Sequence, residues 1–204
     1  YVDSAAGSDS NDGKSEDGAW ATLDKVNSMQ FAPGTKILFK AGTTYKGALV
    51  LQGSGTEEAP IIVDMYGEGP KPHTEGEGKV RHTVHLKNVN HVTVRNLEVS
   101  NNAAQRQLLS GVFVEASGCG VMEDVHLDSL DVHDVYGTLD EKTLPNGGIY
   151  YEVTDESDDT RFNNISVQNC TVKRVSRTGI SVGMTESYEL WDGHGGIIPD
   201  EVKE

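Results

Sequence analysis

The sequence predicts an all-β chain wound as a parallel β-helix solenoid, with a short helix over its N-terminal end. Three observations carry that prediction. One pattern occurs three times, as HVTVRNLEVSNN from His91, DVHLDSLDVHDV from Asp124 and NISVQNCTVKRV from Asn164. The starts lie 33 and then 40 residues apart, within the range of solenoid repeats. Aligned, the copies set aliphatic on aliphatic: Val92, Val125 and Ile165; Val94, Leu127 and Val167; Leu97, Leu130 and Cys170; Val99, Val132 and Val172. Each copy is followed by a smaller echo, GVFVE from Gly111, GIYYE from Gly148 and GISVG from Gly179. A βαβ arrangement would need long amphipathic crossover segments between the strands, and none is present. An antiparallel sandwich would need hairpin turn pairs, which are mostly missing.

Residues 1–36 read as a first strand, a polar turn region and a capping helix. After a strand near Tyr1, SDSNDGKSEDG is rich in turn formers. Asp9, Asn11 and Asp12 there suit an Asx-turn better than a Ca²⁺ loop, because the distal Glu of such a loop is absent. From Ala19 to Gln30, Leu23, Val26 and Met29 fall on one helical face beside Trp20. Such a helix would cover the unpaired backbone groups that the end of a β-coil exposes. Residues 37–183 then hold the coils. KILFK, ALVLQ, PIIVDMYG and TVHLK read as strands, AGTTYKG as a connection, and residues 67–78 as a turn-rich loop. Asn96 and Asn169 stand where the chain must bend between faces. Residues 184–204 carry no repeat. This end would be covered by further coils or a second chain, or by Trp191, Ile197 and Ile198 folding back.

The chain has 204 residues, enough for one domain with a sizeable core. A hydrophobic fraction of 36% with 23 Gly suits a folded, turn-rich chain rather than a disordered one. A net charge of −15 without a basic cluster argues against nucleic acid as partner. Nothing approaches the apolar run of a membrane span. The first residue is Tyr1 rather than Met, as in a mature product whose signal peptide has been removed. Cys170 substitutes for leucine in an inward column, so a small buried thiol is expected in preference to a disulfide with Cys119.

YVDSAAGSDSNDG, WATLDKVN and PGTKILFKAGTTYKGAL together resemble the N-terminal region of secreted right-handed parallel β-helix proteins. NLEVSNN, LDVHDVYG, GGIYYEV and VSRTGI look most like a β-helix glycoside hydrolase family acting on plant cell-wall polysaccharide, and less closely like pectate-lyase-like proteins. That resemblance implies a right-handed hand for the solenoid, secretion, and a xylan- or pectin-class substrate. Fold resemblance alone leaves the reaction open. A Ca²⁺-dependent polysaccharide lyase is the second expectation, lowered by the lack of a basic cluster. A non-catalytic glycan-binding scaffold is the third.

Alternation along the echo strands sets His85, Phe113, Tyr150 and Ser181 in one outward column and Lys87, Glu115, Glu152 and Gly183 in the next. Glu115 and Glu152 would lie on adjacent rungs about 5 Å apart, the separation of a retaining glycosidase pair, with one pKa pushed upward. Catalysis, substrate or cation binding, and a solvated ladder headed by Lys87 are all open for that column. Phe113 and Tyr150 would offer ring faces to sugar, or be buried by the inserted segments 101–110, 136–147 and 154–162. Two of these segments precede an echo strand, as the wall of a groove would. Asp131 and His133 face outward together and could orient sugar hydroxyls or act as acid and base. Asp134 reads as a turn carboxylate, and Arg177 as an anchor for a sugar acid or a loop. No cofactor or metal set is expected beyond a possible Ca²⁺ at Asp155, Glu156, Asp158 and Asp159, for which a solvated loop is favoured.

Overall fold

Five successive coils repeat the same three strands. In the computed structural model, which describes residues 1–138, 146–155 and 159–184, the first coil holds β1 (Lys36–Lys40), β2 (Thr44–Lys46) and β3 (Leu49–Val50). The second holds β4 (Ile61–Tyr66), β5 (His73–Glu75) and β6 (His82–Lys87). The third holds β7 (Val92–Arg95), β8 (Glu98–Asn101) and β9 (Ser110–Ala116). The fourth holds β10 (Val121–Asp128), β11 (Asp131–Val135) and β12 (Gly147–Val153), and the fifth β13 (Arg161–Gln168), β14 (Thr171–Val175) and β15 (Thr178–Met184). Every strand pairs in parallel with its counterpart one coil away, which makes three five-stranded sheets and a parallel β-helix.

The register matches the columns read from sequence. In the first sheet Ile61, Val92, Val125 and Ile165 stack, as do Val63, Val94, Leu127 and Val167. In the second, Tyr45, Thr74, Val99, Val132 and Val172 form one column. In the third, Leu49, Val84, Val112, Ile149 and Ile180 do so. Members of these columns in the first four coils are buried, and each large aliphatic so withdrawn from water contributes about 1.5–3 kcal/mol. In the fifth coil Ile180 and Val182 are 49% and 62% exposed. The expected fold-back of Trp191, Ile197 and Ile198 over this end, and the tail itself, lie outside the described residues.

The corners explain the repeat's spelling. Asn96, Ser129 and Asn169 all take positive φ between 52° and 57°, the left-handed region that asparagine tolerates better than most residues. They turn the chain from the first sheet into the second. Their amides do not ladder on one another: Asn96 Nδ2 donates to Asp64 Oδ1 and Asn169 Nδ2 to Asp128 Oδ1, both at 2.8 Å. Two of the echo glycines serve close approach. A Cβ on Gly111 would come within 2.6 Å of Val132, and one on Gly148 within 2.3 Å of the Gly179 carbonyl oxygen.

Three expectations need correction. The capping helix α1 spans only Leu23–Asn27, because Trp20 is drawn into an extended bridge with Val2 and Asp9 binds the backbone of Ala21 and Thr22. Val2 also pairs with Phe39, so the first-sheet edge is covered by one bridging residue, while buried Leu23 and Val26 of α1 join the core beside β3. AGTTYKG is not merely a connection, since it holds β2. Within the segment read as a loop, His73–Glu75 forms β5, with Thr74 as the inward residue. Cys119 and Cys170 are free thiols, and burial raises the pKa of Cys170.

Candidate functional site

The outward columns of the third sheet come together as expected. His85 pairs with Phe113 and Phe113 with Tyr150, while Lys87, Glu115 and Glu152 occupy successive rungs. Glu115 accepts from Lys87 Nζ at 2.8 Å and from Thr154 Oγ1 at 2.9 Å, and His85 Nε2 lies 2.8 Å from its other oxygen. Burial acts to raise the Glu115 pKa, but the hydrogen bonds from Lys87, His85 and Thr154 outweigh it and hold the carboxyl below its ordinary value. Glu115 therefore does not carry the raised pKa expected of one member of the pair. Exposure falls along the column, from 49% for the Lys87 side chain to 12% for that of Glu115, and to 3% for Glu152. Lys87 is thus the exposed end of this column and Glu152 its buried end.

Phe113 and Tyr150 do not form an exposed sugar platform; both are buried. Phe113 stacks on His82 at 4.5 Å and His85 at 5.4 Å between ring centroids. The Tyr150 hydroxyl donates to the Asn146 carbonyl at 2.6 Å. The described residues of the two segments that precede echo strands, 101–110 and 136–147, join each other. Gln107 bridges Gly137, Thr138 N donates to the Gln107 carbonyl, and Asn146 Nδ2 donates to the Thr138 carbonyl. His82 was not singled out in the sequence because it stands one residue before the recognised strand. Its Nδ1 lies 2.7 Å from Ser110 Oγ, and burial lowers its pKa to about 3.

The second constellation divides differently from its sequence reading. Asp131 and His133 both face out from β11, yet Asp131 pairs with Lys71 at 3.0 Å rather than with the imidazole. His133 sits between two other carboxylates, with Nε2 2.7 Å from Glu98 Oε1 and Nδ1 2.6 Å from Asp134 Oδ2. Asp134 takes φ 51° at an irregularity in the β8–β11 pairing, consistent with its expected turn role. Arg174 grips it with two nitrogens at 2.6 and 2.7 Å, and these bonds hold its pKa well below the usual range. His73, hidden in the supposed loop, stacks on His133 at 5.9 Å and meets Ser100 Oγ at 2.8 Å. Arg177 is exposed at φ 64° just before β15.

Of the acidic loop for which a solvated role is favoured over Ca²⁺, Asp155 accepts from Thr160 Oγ1, whereas Glu156 and Asp158 lie outside the described residues. Asp9 binds Thr22 through backbone and hydroxyl, so it supports the cap of α1. A cleft of about 310 Å³ that no sequence signal marked lies outside the first sheet, lined by Glu57, Pro60, His91, Thr93, Asp124, His126 and Asn164. Among the described residues no helix is long and apolar enough to cross a membrane.

No family model matches the chain. Among curated proteins it is similar to the lacto-N-biosidase of Bifidobacterium longum subsp. longum, with 29% identity over an alignment 262 positions long that covers 96% of this chain and 16% of that protein. Among solved structures it is similar to the GH136 lacto-N-biosidase from Eubacterium ramulus. The native crystal structure matches with 30% identity and a TM-score of 0.79, over 90% of this chain and 35% of that one. The selenomethionine derivative matches with 30% identity and a TM-score of 0.84, over 98% and 38%. The chain therefore spans 16% of the curated relative's length and little more than a third of the solved one. These relatives are glycoside hydrolases, in keeping with the hydrolase resemblance. Their names refer to lacto-N-biose, so the expected plant cell-wall substrate and the pectate-lyase-like comparison find no support in them.

Proposed function

We propose that the chain belongs to a glycoside hydrolase acting on oligosaccharides that carry lacto-N-biose, with Glu115 and Glu152 as its carboxylate pair. The observation that carries this reading is the 30% identity to a solved lacto-N-biosidase, at a TM-score of 0.84 across 98% of the chain. An extracellular location is part of the same proposal.

The chemistry follows from two carboxyl groups on adjacent rungs. A spacing of about 5 Å leaves no room for a water between acid and base, and so favours a covalent glycosyl intermediate. Glu115 fits the ionised partner, because Lys87, His85 and Thr154 all meet its oxygens. Glu152, withdrawn from water one rung further along, takes the proton-donor role toward the leaving oxygen. Lys87 and His85 at the exposed end are the polar groups that meet sugar hydroxyls, with buried Phe113 and Tyr150 packed beside them. Asp131 and His133 stand on the second sheet rather than beside this pair.

The test incubates the full-length protein with p-nitrophenyl lacto-N-bioside, xylan and pectin, reading nitrophenol, reducing ends and ultraviolet absorbance. Release from the lacto-N-bioside alone is the expected result. An ultraviolet-absorbing product from pectin would replace hydrolysis by β-elimination, and no product from any substrate would overturn the reading.

A further inference from the structure

On the outer face of the second sheet, away from the Glu115–Glu152 pair, two imidazoles and a carboxylate converge. His73, Glu98 and His133 come from β5, β8 and β11, three consecutive rungs of one sheet. One ligand atom from each lies within 4.8 Å of the others, and all three residues are half-buried. From this geometry we propose a site for a zinc-like divalent transition metal ion held by His73, Glu98 and His133. The proposal is independent of the hydrolase reading.

Proton counting at His133 supports it. A neutral imidazole has one N–H and one lone pair. Both nitrogens of His133 face carboxylate oxygens, at 2.6 Å to Asp134 and 2.7 Å to Glu98. Only one of those contacts is a hydrogen bond of the neutral ring; the other needs a second proton or a cation. Asp134 is the better hydrogen-bond acceptor for Nδ1–H, since Arg174 clamps it in place through two nitrogens. The Nε2 lone pair is then directed at the space it shares with Glu98. Carboxylate–histidine–metal relays have this form, in which an outer carboxylate orients the ligating ring.

Charge and donor type point the same way. Asp131 is paired with Lys71 and Asp134 with Arg174, whereas Glu98 meets no lysine or arginine among the described residues. Two neutral imidazoles with one carboxylate are a zinc donor set that leaves a fourth position open to water or ligand. Calcium prefers six to eight oxygens and fits this set poorly. The second cluster, His91, Glu123 and Asp124, has a single imidazole, and Asn163 and Asn164 already donate to its carboxylates. It serves as the internal control.

The experiment titrates metal-stripped full-length protein with ZnCl2 and, separately, CaCl2 by calorimetry. Cobalt-loaded wild-type protein is then examined for visible d–d absorption. One zinc per chain is expected, together with a four- or five-coordinate cobalt spectrum. His73→Gln and His133→Gln should each abolish that binding with the circular dichroism spectrum unchanged, while His91→Gln keeps it. Asp134→Asn should weaken zinc by about 10–100-fold through loss of ring orientation. Absence of zinc binding by the wild-type protein would overturn the proposal, as would binding that survives His133→Gln or is lost only in His91→Gln. Because the cobalt spectrum is read on the wild type, the proposal stays refutable even if a variant fails to fold.

Discussion

Lowering the pH from 7.5 to 5 should destabilise the fold through one residue, His82. Its ring is stacked on Phe113 at 4.5 Å, hydrogen-bonded to Ser110 and largely removed from water. Burial, with the nearby charges of His85 and Arg81, lowers its pKa from 6.5 to about 3. The unfolded chain therefore takes up a proton below pH 6.5 that the folded chain refuses until about pH 3. Stability from this group is complete above pH 6.5 and is lost as pH falls from there toward 3. With these two values linkage gives a loss of about 2 kcal/mol at pH 5 and about 3 kcal/mol at pH 4, the latter a ceiling because the ring keeps a solvent-facing edge. Urea titrations of the wild type and His82→Asn at pH 7.5, 6, 5 and 4 provide the assay. The variant keeps a polar partner for Ser110 but cannot titrate, so the difference between the two curves isolates the imidazole. The wild type should lose about 2 kcal/mol more than the variant between pH 7.5 and 5. Parallel curves, or an imidazole resonance of His82 that titrates near 6.5, would refute the reasoning.

Three further outcomes follow from the same geometry. Gly148→Ala would drive a methyl to 2.3 Å from the Gly179 carbonyl oxygen and 2.7 Å from Val172, so the urea midpoint should fall by the equivalent of about 1–3 kcal/mol. An unchanged midpoint would contradict the close-approach account of the echo glycines. Tyr151→Phe removes a buried hydroxyl that donates to the Val125 and Ser166 carbonyls, and should cost about 1 kcal/mol by the same titration. Proton NMR of the first-formed sugar product should show retention at the anomeric carbon, as adjacent-rung carboxylates require, whereas inversion would exclude Glu115 and Glu152 as the pair.

The repeat was legible because its inward residues obey a period of two within strands and a fixed order between them. Val92, Val125 and Ile165, or Val84, Val112 and Ile149, announce a stack through shape and hydrophobicity alone. β5 escaped notice because its inward residue is Thr74, whose hydroxyl is satisfied by the Glu98 carbonyl, and because prolines and glycines surround it. With β5 went His73, and with His73 the second imidazole of its cluster. Alternation also placed Glu115 beside Glu152 correctly, but left open whether Phe113 and Tyr150 would be exposed or buried. That depends on how the two inserted segments pair through Gln107, Gly137 and Asn146, which no periodicity encodes. Asp131 and His133 face outward together as read, but they do not bond to each other. Residues two apart on a strand share a face, but their tips turn to neighbours on other rungs, here Lys71 and Glu98.

The central claim is that Glu152 and Glu115 carry out the chemistry of a lacto-N-bioside hydrolase, and Glu152→Gln tests it most directly. The substitution preserves size and removes only the ability to donate and regain the proton. With the folded state matched by circular dichroism and urea midpoint, kcat on an unactivated lacto-N-biose-bearing oligosaccharide should fall by at least about 100-fold, with little change in KM. Turnover equal to the wild type would contradict the assignment.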